Sequence, residues 1–454
     1  MTGPVVGHEE PLPLHTARTA FPGHTDDAQP FVAVLRLRDF RRLWAAQAAS
    51  QLADKFLMFA LIIVVYDLTG RSTTQSLLML AYTGPSVLLS AAAGVYADRH
   101  DKRVLMLGTN LLRGGMILLI PLCQLLPVVA HQAWPLLIIV LLFSAVGQVF
   151  APAEAASIPF LVPRQRIMVA TSLFMTTSIV TLVAGVPLAT VSVAVLGDQS
   201  PFYIASGLFM VAGFLIWRMD TGLRAAARAH APTTHVLREL HEGLVILSRD
   251  PGLRLALGQL TLALTVVFTE FALGPAYIHN ILGRPPEQTY LVLIPATFGL
   301  VGMAAVLGHR GHRVSRARSL VRSLLVGGAL LVLIGLIPGP IRHAGGDGVL
   351  TPVAVVLSTA FGGALGALLI PSFTVLQERT DEATRGRIFG GIFTVINAAV
   401  AAPLLLAGGL ADAFGVDRAV AGLGAVLGLF GLVAALPARG MLDVLDEVAP
   451  SGQT

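Results

Sequence analysis

Apolar runs of about 20 residues alternate with short polar breaks along most of this chain, and about 20 apolar residues cross about 30 Å of hydrocarbon as a helix. Twelve such runs fit. The first six cover approximately 43–67, 76–97, 104–126, 135–156, 168–195 and 202–218. The second six cover approximately 256–279, 290–307, 320–338, 351–372, 388–410 and 418–437. The pattern predicts an all-α membrane protein of 12 transmembrane helices. Residues 1–38 are polar, rich in Pro and His, and lack the apolar core of a signal peptide, so they read as a disordered cytoplasmic tail. Residues 438–454 read as a second cytoplasmic tail.

Composition agrees with the pattern. Of 454 residues, 55% are hydrophobic and only 13% charged, against about 25% charged in soluble domains. The formal net charge of +5 is no nucleic-acid signal, because the basic residues sit in short breaks between apolar runs. They set orientation instead. With the N-terminus inside, the outer loops hold only Arg71, Arg284, Arg342 and Arg418 of the 31 Lys and Arg. Lys55 and Arg113 lie within spans, and the remainder face the cytoplasm. The positive-inside rule then places both termini in the cytoplasm of a cell that carries the protein in its plasma (inner) membrane. The single cysteine, Cys123, excludes an intrachain disulfide.

The chain divides into halves. The longest polar connection, 219–255, is basic and includes a short amphipathic stretch at His235 to Leu240. It separates a bundle at 39–218 from a second at 256–437. Ser157 to Ala189 and Ser372 to Leu406 repeat one design: an apolar exit, a basic turn, and an apolar span with a late proline, Pro187 or Pro403. The first joins spans four and five, the second spans ten and eleven. Two pseudo-symmetric six-helix bundles are a transporter architecture.

The charged break between spans two and three reads Gly94-x-x-x-Asp98-Arg99-x-x-Lys102-Arg103. It resembles the loop signature of the major facilitator superfamily, departing from it at Asp101, where the usual pattern has glycine. Phe40-Arg41-Arg42-Leu43-Trp44, Gln47 and Ser50-Gln51-Leu52-Ala53-Asp54 resemble the first span of one branch, the twelve-span drug:proton antiporters related to macrolide and siderophore exporters. Phe150-Ala151-Pro152-Ala153 and Ile158-Pro159-Phe160-Leu161-Val162-Pro163 are similar to that branch's fourth span. The resemblance implies a monomeric two-bundle transporter that alternates access to a central cavity and exports lipophilic compounds against an inward proton flow. It also implies a latch made of Gly94, Asp98, Arg99, Lys102, Arg103 and Glu154. Asp98 would face the start of span eleven, near Gly386 to Gly391, and Arg99 would reach Glu154.

Proton coupling needs a carboxyl group in the membrane. Asp54 lies about 11 residues into span one, near mid-membrane at about 1.5 Å per residue. A carboxylate there costs about 2.5–3.5 kcal/mol on insertion scales and favours protonation. Its alternative is a static pair with Lys55 or Arg113. Glu270, in the pseudo-equivalent span seven, is the second candidate. Arg113 either pairs with Glu154 or serves substrate or proton relay. Gln47, Gln51, Gln148, Gln259 and Asn397 are candidates for a substrate cavity, as is Asn110. Such residues more often serve helix–helix hydrogen bonding than ligand contact.

Other chemistry finds no support in the sequence. There is no Walker lysine loop, GxSxG or HExxH, and no Cys/His cluster with metal spacing. The reading is therefore a non-enzymatic secondary transporter with no cofactor or metal. Its partners are a small molecule, protons and membrane lipids, with no nucleic acid. An importer or a lipid or siderophore transporter of the same fold remains an alternative. A membrane enzyme or sensor is more remote, because the charges are dispersed.

Overall fold

The computed structural model describes residues 30–129, 131–220, 251–310, 316–378 and 385–435. The tail calls at 1–29 and 438–454 and the amphipathic stretch at 235–240 lie outside these residues. Every element described is helical. The first half holds α1 (Pro30–Leu35), α2 (Arg38–Thr69), α3 (Ser72–Arg99), α4 (Lys102–Leu125), α5 (Trp134–Gly147), α6 (Phe150–Leu161), α7 (Ile167–Leu196) and α8 (Ser200–Trp217). The second holds α9 (Pro251–Asn280), α10 (Tyr290–Arg310), α11 (Arg316–Leu336), α12 (Pro338–His343), α13 (Asp347–Glu378), α14 (Arg385–Phe414) and α15 (Val416–Ala435).

Ten stretches among the described residues are long and apolar enough to cross a membrane. The other two expected spans, two and five, are α3 and α7, which have 28 and 30 residues and pack within the same bundle. Span four is broken into α5 and α6. Pro152 has no N–H to donate to the carbonyl of Gln148, so the ladder fails at Gln148 and Val149. Two boundaries differ from the sequence reading. Part of the supposed tail is helix α1, whose Val34 is fully buried against the first bundle. Span seven begins at Pro251, inside the supposed linker.

The two halves pack alike. Spans three and six pair as α4 and α8, and spans nine and twelve as α11 and α15. Spans two and four pair as α3 and α5, spans eight and ten as α10 and α13. Spans one and five pair as α2 and α7, spans seven and eleven as α9 and α14. Close approach within a bundle needs small residues, because lipid supplies no hydrophobic drive between helices. At Gly362 an added Cβ would overlap the backbone of Ala296, so α10 and α13 can touch only without it. Leu88, Phe298, Val356 and Leu429 are exposed, as side chains facing lipid should be.

The loops that follow odd-numbered spans gather at one end, here the odd end; the others define the even end. One buried core runs through both bundles, from Leu57 to Tyr66 on α2 across to Leu273, Tyr277 and Ile278 on α9. A smaller core, with Phe40, Leu43, Met106, Phe174 and Ile216, holds the even end of the first bundle.

Candidate functional site

A cavity of about 370 Å³ opens between the bundles. From α2 it is lined by Ser50, Gln51 and Asp54, from α3 by Tyr82, Thr83 and Ser86, and from α4 by Arg113. Span four adds Ser144, Gly147, Gln148, Phe150, Ala151 and Glu154, while the second bundle adds Phe268 and Asn397.

Arg113 is the most constrained side chain in this wall. Its Nη2 donates to Asp54 Oδ1. Its guanidinium lies 4.1 Å from the Phe143 ring centroid and 4.5 Å from that of Phe209. Those two rings meet edge to face. Cation–π contact of this kind strengthens when water is excluded. Gly147 makes room, since a Cβ there would lie 3.2 Å from Arg113 Cζ. The static alternative for Asp54 is thus the arrangement this conformation adopts, with Arg113 and not Lys55 as partner. Nor does Arg113 pair with Glu154. Glu154 sits in the cavity wall, 9% exposed, with Oε1 buried and unbonded. Among the described residues no ion pair joins it to Arg99, which is exposed.

The amides divide between cavity and scaffold. Gln51 lines the cavity, yet both ends of its amide are held by α7. Nε2 donates to Ser178 Oγ at 2.9 Å, and Oε1 accepts from Thr181 Oγ1 at 3.0 Å. Gln148 donates to the Ser144 carbonyl at 3.2 Å. Asn397 donates across the bundle boundary to Ser86 Oγ at 2.7 Å. Gln47 and Gln259 are buried but do not line the cavity. Gln259 instead accepts from Ser372 Oγ at 2.9 Å. Asn110 is fully buried and accepts from Ser50 Oγ at 2.8 Å. Glu270 lies on α9 outside the cavity wall, with Oε1 buried and unbonded. Tyr82, Ser86, Ser144 and Gly147 were not anticipated. Small or hydroxylated residues in an apolar helix carry no signal until its cavity face is known. Among the aromatics, Phe268 lines the cavity, while Phe56, Phe59 and Phe174 are buried in the cores.

The charged break is partly scaffold. Asp101, the departure from the loop pattern, caps α4 by accepting from the N–H of Arg103 at 2.9 Å and of Val104 at 3.3 Å. Arg103 donates to the carbonyls of Ile216 and Trp217, capping the end of α8. Lys102 is buried at the start of α4. A Cβ on Gly94 would meet nothing within 4 Å. The side chain of Asp98, and those of 385–394 at the start of α14, lie outside the described set. The expected latch between them falls there too.

At the odd end the bundles are bound together. Asp412, on the last turn of α14, accepts from Ser72 N at 2.7 Å, Thr73 N at 2.9 Å and Thr73 Oγ1 at 2.6 Å. One carboxylate from the second bundle thus caps the N-terminus of α3 in the first. Asn280 of α9 donates to the Tyr66 hydroxyl of α2 at 3.1 Å. The resulting geometry is a charged pocket between paired bundles that are closed at one end.

Known proteins with this pattern are transporters. The model of the Major Facilitator Superfamily matches residues 43–403. The uncharacterized MFS-type transporter YfiS of Bacillus subtilis is 26% identical, over 86% of this chain and 91% of its own. Macrolide efflux protein A of Streptococcus pyogenes is 24% identical, over 84% of this chain and 91% of its own. The multidrug efflux pump Tap of Mycolicibacterium fortuitum is 24% identical, over 85% and 92%. Among solved structures, the nucleoside transporter NupG superposes with a TM-score of 0.65 over 89% of this chain and 98% of its own. At 12% identity that likeness speaks for the fold alone.

Proposed function

The chain belongs to the major facilitator superfamily, and from that premise we propose that it is a secondary active transporter exporting a small lipophilic or amphipathic molecule in exchange for protons. The observation that carries this reading is the inter-bundle cavity, with the Asp54–Arg113 pair and Glu154 in one wall. Its volume lies in the lower part of the range for small-molecule sites, about 300–1,000 Å³. The efflux names of macrolide efflux protein A and Tap favour the outward direction. The scarcity of Lys and Arg in odd loops puts the odd end outside and both termini in the cytoplasm. With Asp412 holding the odd end shut, this conformation offers its cavity to the cytoplasm.

Alternation then requires two exclusive closures. The contacts between α3 and α14 run in antiparallel register: Ser72 with Asp412, Ser76 beside Gly408, Ser86 with Asn397. Continued down both helices, that register sets position 98 level with 386. This supports the Gly94–Arg103 break as the latch of the opposite state, with Asp98 serving α14 as Asp412 serves α3. Coupling is assigned to carboxyl groups within the spans. Glu270 has a buried, unbonded oxygen, and Asp54 must leave Arg113 before it can carry a proton.

The deciding experiment reconstitutes the purified protein in liposomes with an imposed pH gradient and a panel of lipophilic probes. At least one probe should move against its own gradient and stop when a protonophore collapses the pH difference. Movement that ignores the pH difference, or none for any probe, would overturn proton-coupled export.

A further inference from the structure

The corner where α1 turns into α2 carries positive charge that no described residue balances. Arg36, Arg38 and Arg41 are exposed there, and Arg164 and Arg166 are exposed on the short 3-10 turn that enters α7. Among the described residues, none of these five guanidinium groups is in an ion pair. Two acids of this end, Asp39 and Asp220, are both held by Arg42, at 2.9 Å and 3.8 Å.

One small core gathers these segments. α1 packs on both α2 and α7. Leu35 and Leu37, which flank Arg36, and Ile167, which follows Arg166, all pack against the even-end core that holds Phe40, Ala170 and Phe174. α2 and α7 run side by side in the same direction, since Phe40 meets Phe174 and Trp44 donates to Thr177. Continued toward the even end, that register sets position 37 level with 170, one turn beyond Arg166. Apolar side chains are exposed beside the charges: Phe31 and Val32 on α1, and Phe160 on α6, four residues before Arg164.

Guanidinium groups grip phosphate through paired N–H donors, and their charge persists at any physiological pH. A free anion would use the arginines alone. A phospholipid uses both parts of this surface, its phosphate against the arginines and its acyl chains against Phe31, Val32 and Phe160. We infer that the α1–α2 corner and the entry to α7 together bind an anionic phospholipid from the leaflet at the even end. The inference is independent of cargo, direction and coupling. Its consequence is mechanical. α2 lines the cavity with Ser50, Gln51 and Asp54, and α7 holds both ends of the Gln51 amide. A lipid bridging the starts of both helices therefore pins two elements that shape the cavity wall. The general attraction of basic residues for an anionic leaflet is a separate effect. Arg254 on α9 and Arg322 on α11, exposed near the even end of the second bundle, share in that attraction but lie outside the corner.

The test titrates the full-length protein, purified and stripped of lipid in detergent, with dioleoyl phosphatidylglycerol or dioleoyl phosphatidylcholine, and reads binding by native mass spectrometry. An arginine near an anionic lipid contributes about fivefold to binding. The anionic lipid should therefore bind about tenfold or more tighter than the zwitterionic one. Arg36→Gln with Arg38→Gln, and Arg164→Gln with Arg166→Gln, should each weaken it by about fivefold or more, while Arg254→Gln with Arg322→Gln keeps wild-type affinity. Equal binding of the two lipids would overturn the site. Equal losses in all three double variants would do the same and leave only the general attraction. If a variant does not fold, the wild type still decides. Phosphatidylglycerol should protect Arg36, Arg38, Arg164 and Arg166 from phenylglyoxal and leave Arg254 and Arg322 reactive, and uniform protection would refute the inference. Inorganic phosphate at the same concentration should protect none of them. Protection by phosphate equal to that by the lipid would mark a site for free anions and remove the phospholipid.

Discussion

Arg113 shows how few contacts decide a residue's role. Its guanidinium is held by one carboxylate and two aromatic faces, and Gly147 supplies the space. Removing one partner of a buried pair leaves the other charge uncompensated, which costs about 3–5 kcal/mol in typical interiors. Asp54 retains some exposure in the cavity, so the lower end applies. Asp54→Asn is therefore predicted to lower unfolding stability by about 3 kcal/mol. Adding Arg113→Met should recover most of that loss, because the unpaired charge is then gone. Thermal unfolding of the two single variants and the double in detergent forms a double-mutant cycle. Additive losses would mean that the two side chains act independently. The ionisable residues were visible along the sequence, and Asp54, Arg113 and Glu154 were all singled out there. The sequence offered Lys55 and Arg113 as static partners for Asp54, and Asp54 or Glu154 for Arg113, but not which pair forms. The two side chains, 59 residues apart in sequence on α2 and α4, meet only in the folded bundle.

Between elements, the contact of α3 with α14 is the informative one. Asp412 brings a negative charge to three donors at the start of α3, where the helix dipole favours it. A cap of this kind is worth about 1 kcal/mol. Asp412→Asn keeps an acceptor but loses the charge, so the odd end should open more often. A cap worth about 1 kcal/mol corresponds to about a fivefold shift in population. Gly408, one turn earlier, lies against Ser76 and the Ser72 carbonyl, and any side chain there would force the helices apart. Gly408→Val should open the same end more strongly. Both outcomes can be read from the rate at which a membrane-impermeant thiol reagent, added outside, labels Ser86→Cys in a Cys123→Ser background. Equal labelling rates in all variants would show that Asp412 does not hold that end shut. A sequence reading finds Asp412 only as a charge near a loop. It becomes a cap because α14 delivers it to another bundle, 340 residues away in sequence.

At the scale of the molecule, the two bundles share one core and repeat one set of helix pairs. Twelve spans, the number expected from the sequence, would put both termini on the same side. The proposed orientation predicts that alkaline phosphatase fused after Thr454 stays inactive, while the same enzyme inserted at His131 is active, because it folds only outside the cytoplasm. The reverse pattern would invert the proposed orientation, and the inward-facing reading of the cavity with it. The proposed export belongs to this scale, since no single bundle encloses the cavity. Phe268 and Asn397 close it from the second half.

Hydrophobicity alone decided that this chain is helical and membrane-embedded. A span of apolar residues must satisfy its own backbone hydrogen bonds, and only a helix does so within one segment. The polar breaks then had to be loops, and the repeated design of Ser157 to Ala189 and Ser372 to Leu406 marked the halves. The motifs that resemble a known branch proved largely architectural: Phe40 packs against Phe174 with their rings tilted, Trp44 donates to Thr177, and Pro152 breaks span four. What each polar side chain does was left to the tertiary structure. A helix turns about 100° per residue, so a residue's facing depends on which neighbour covers which face, and that is set by contacts between distant spans. Only those contacts separated Asp54, bound to Arg113, from Glu154, which faces the cavity with an oxygen still unbonded.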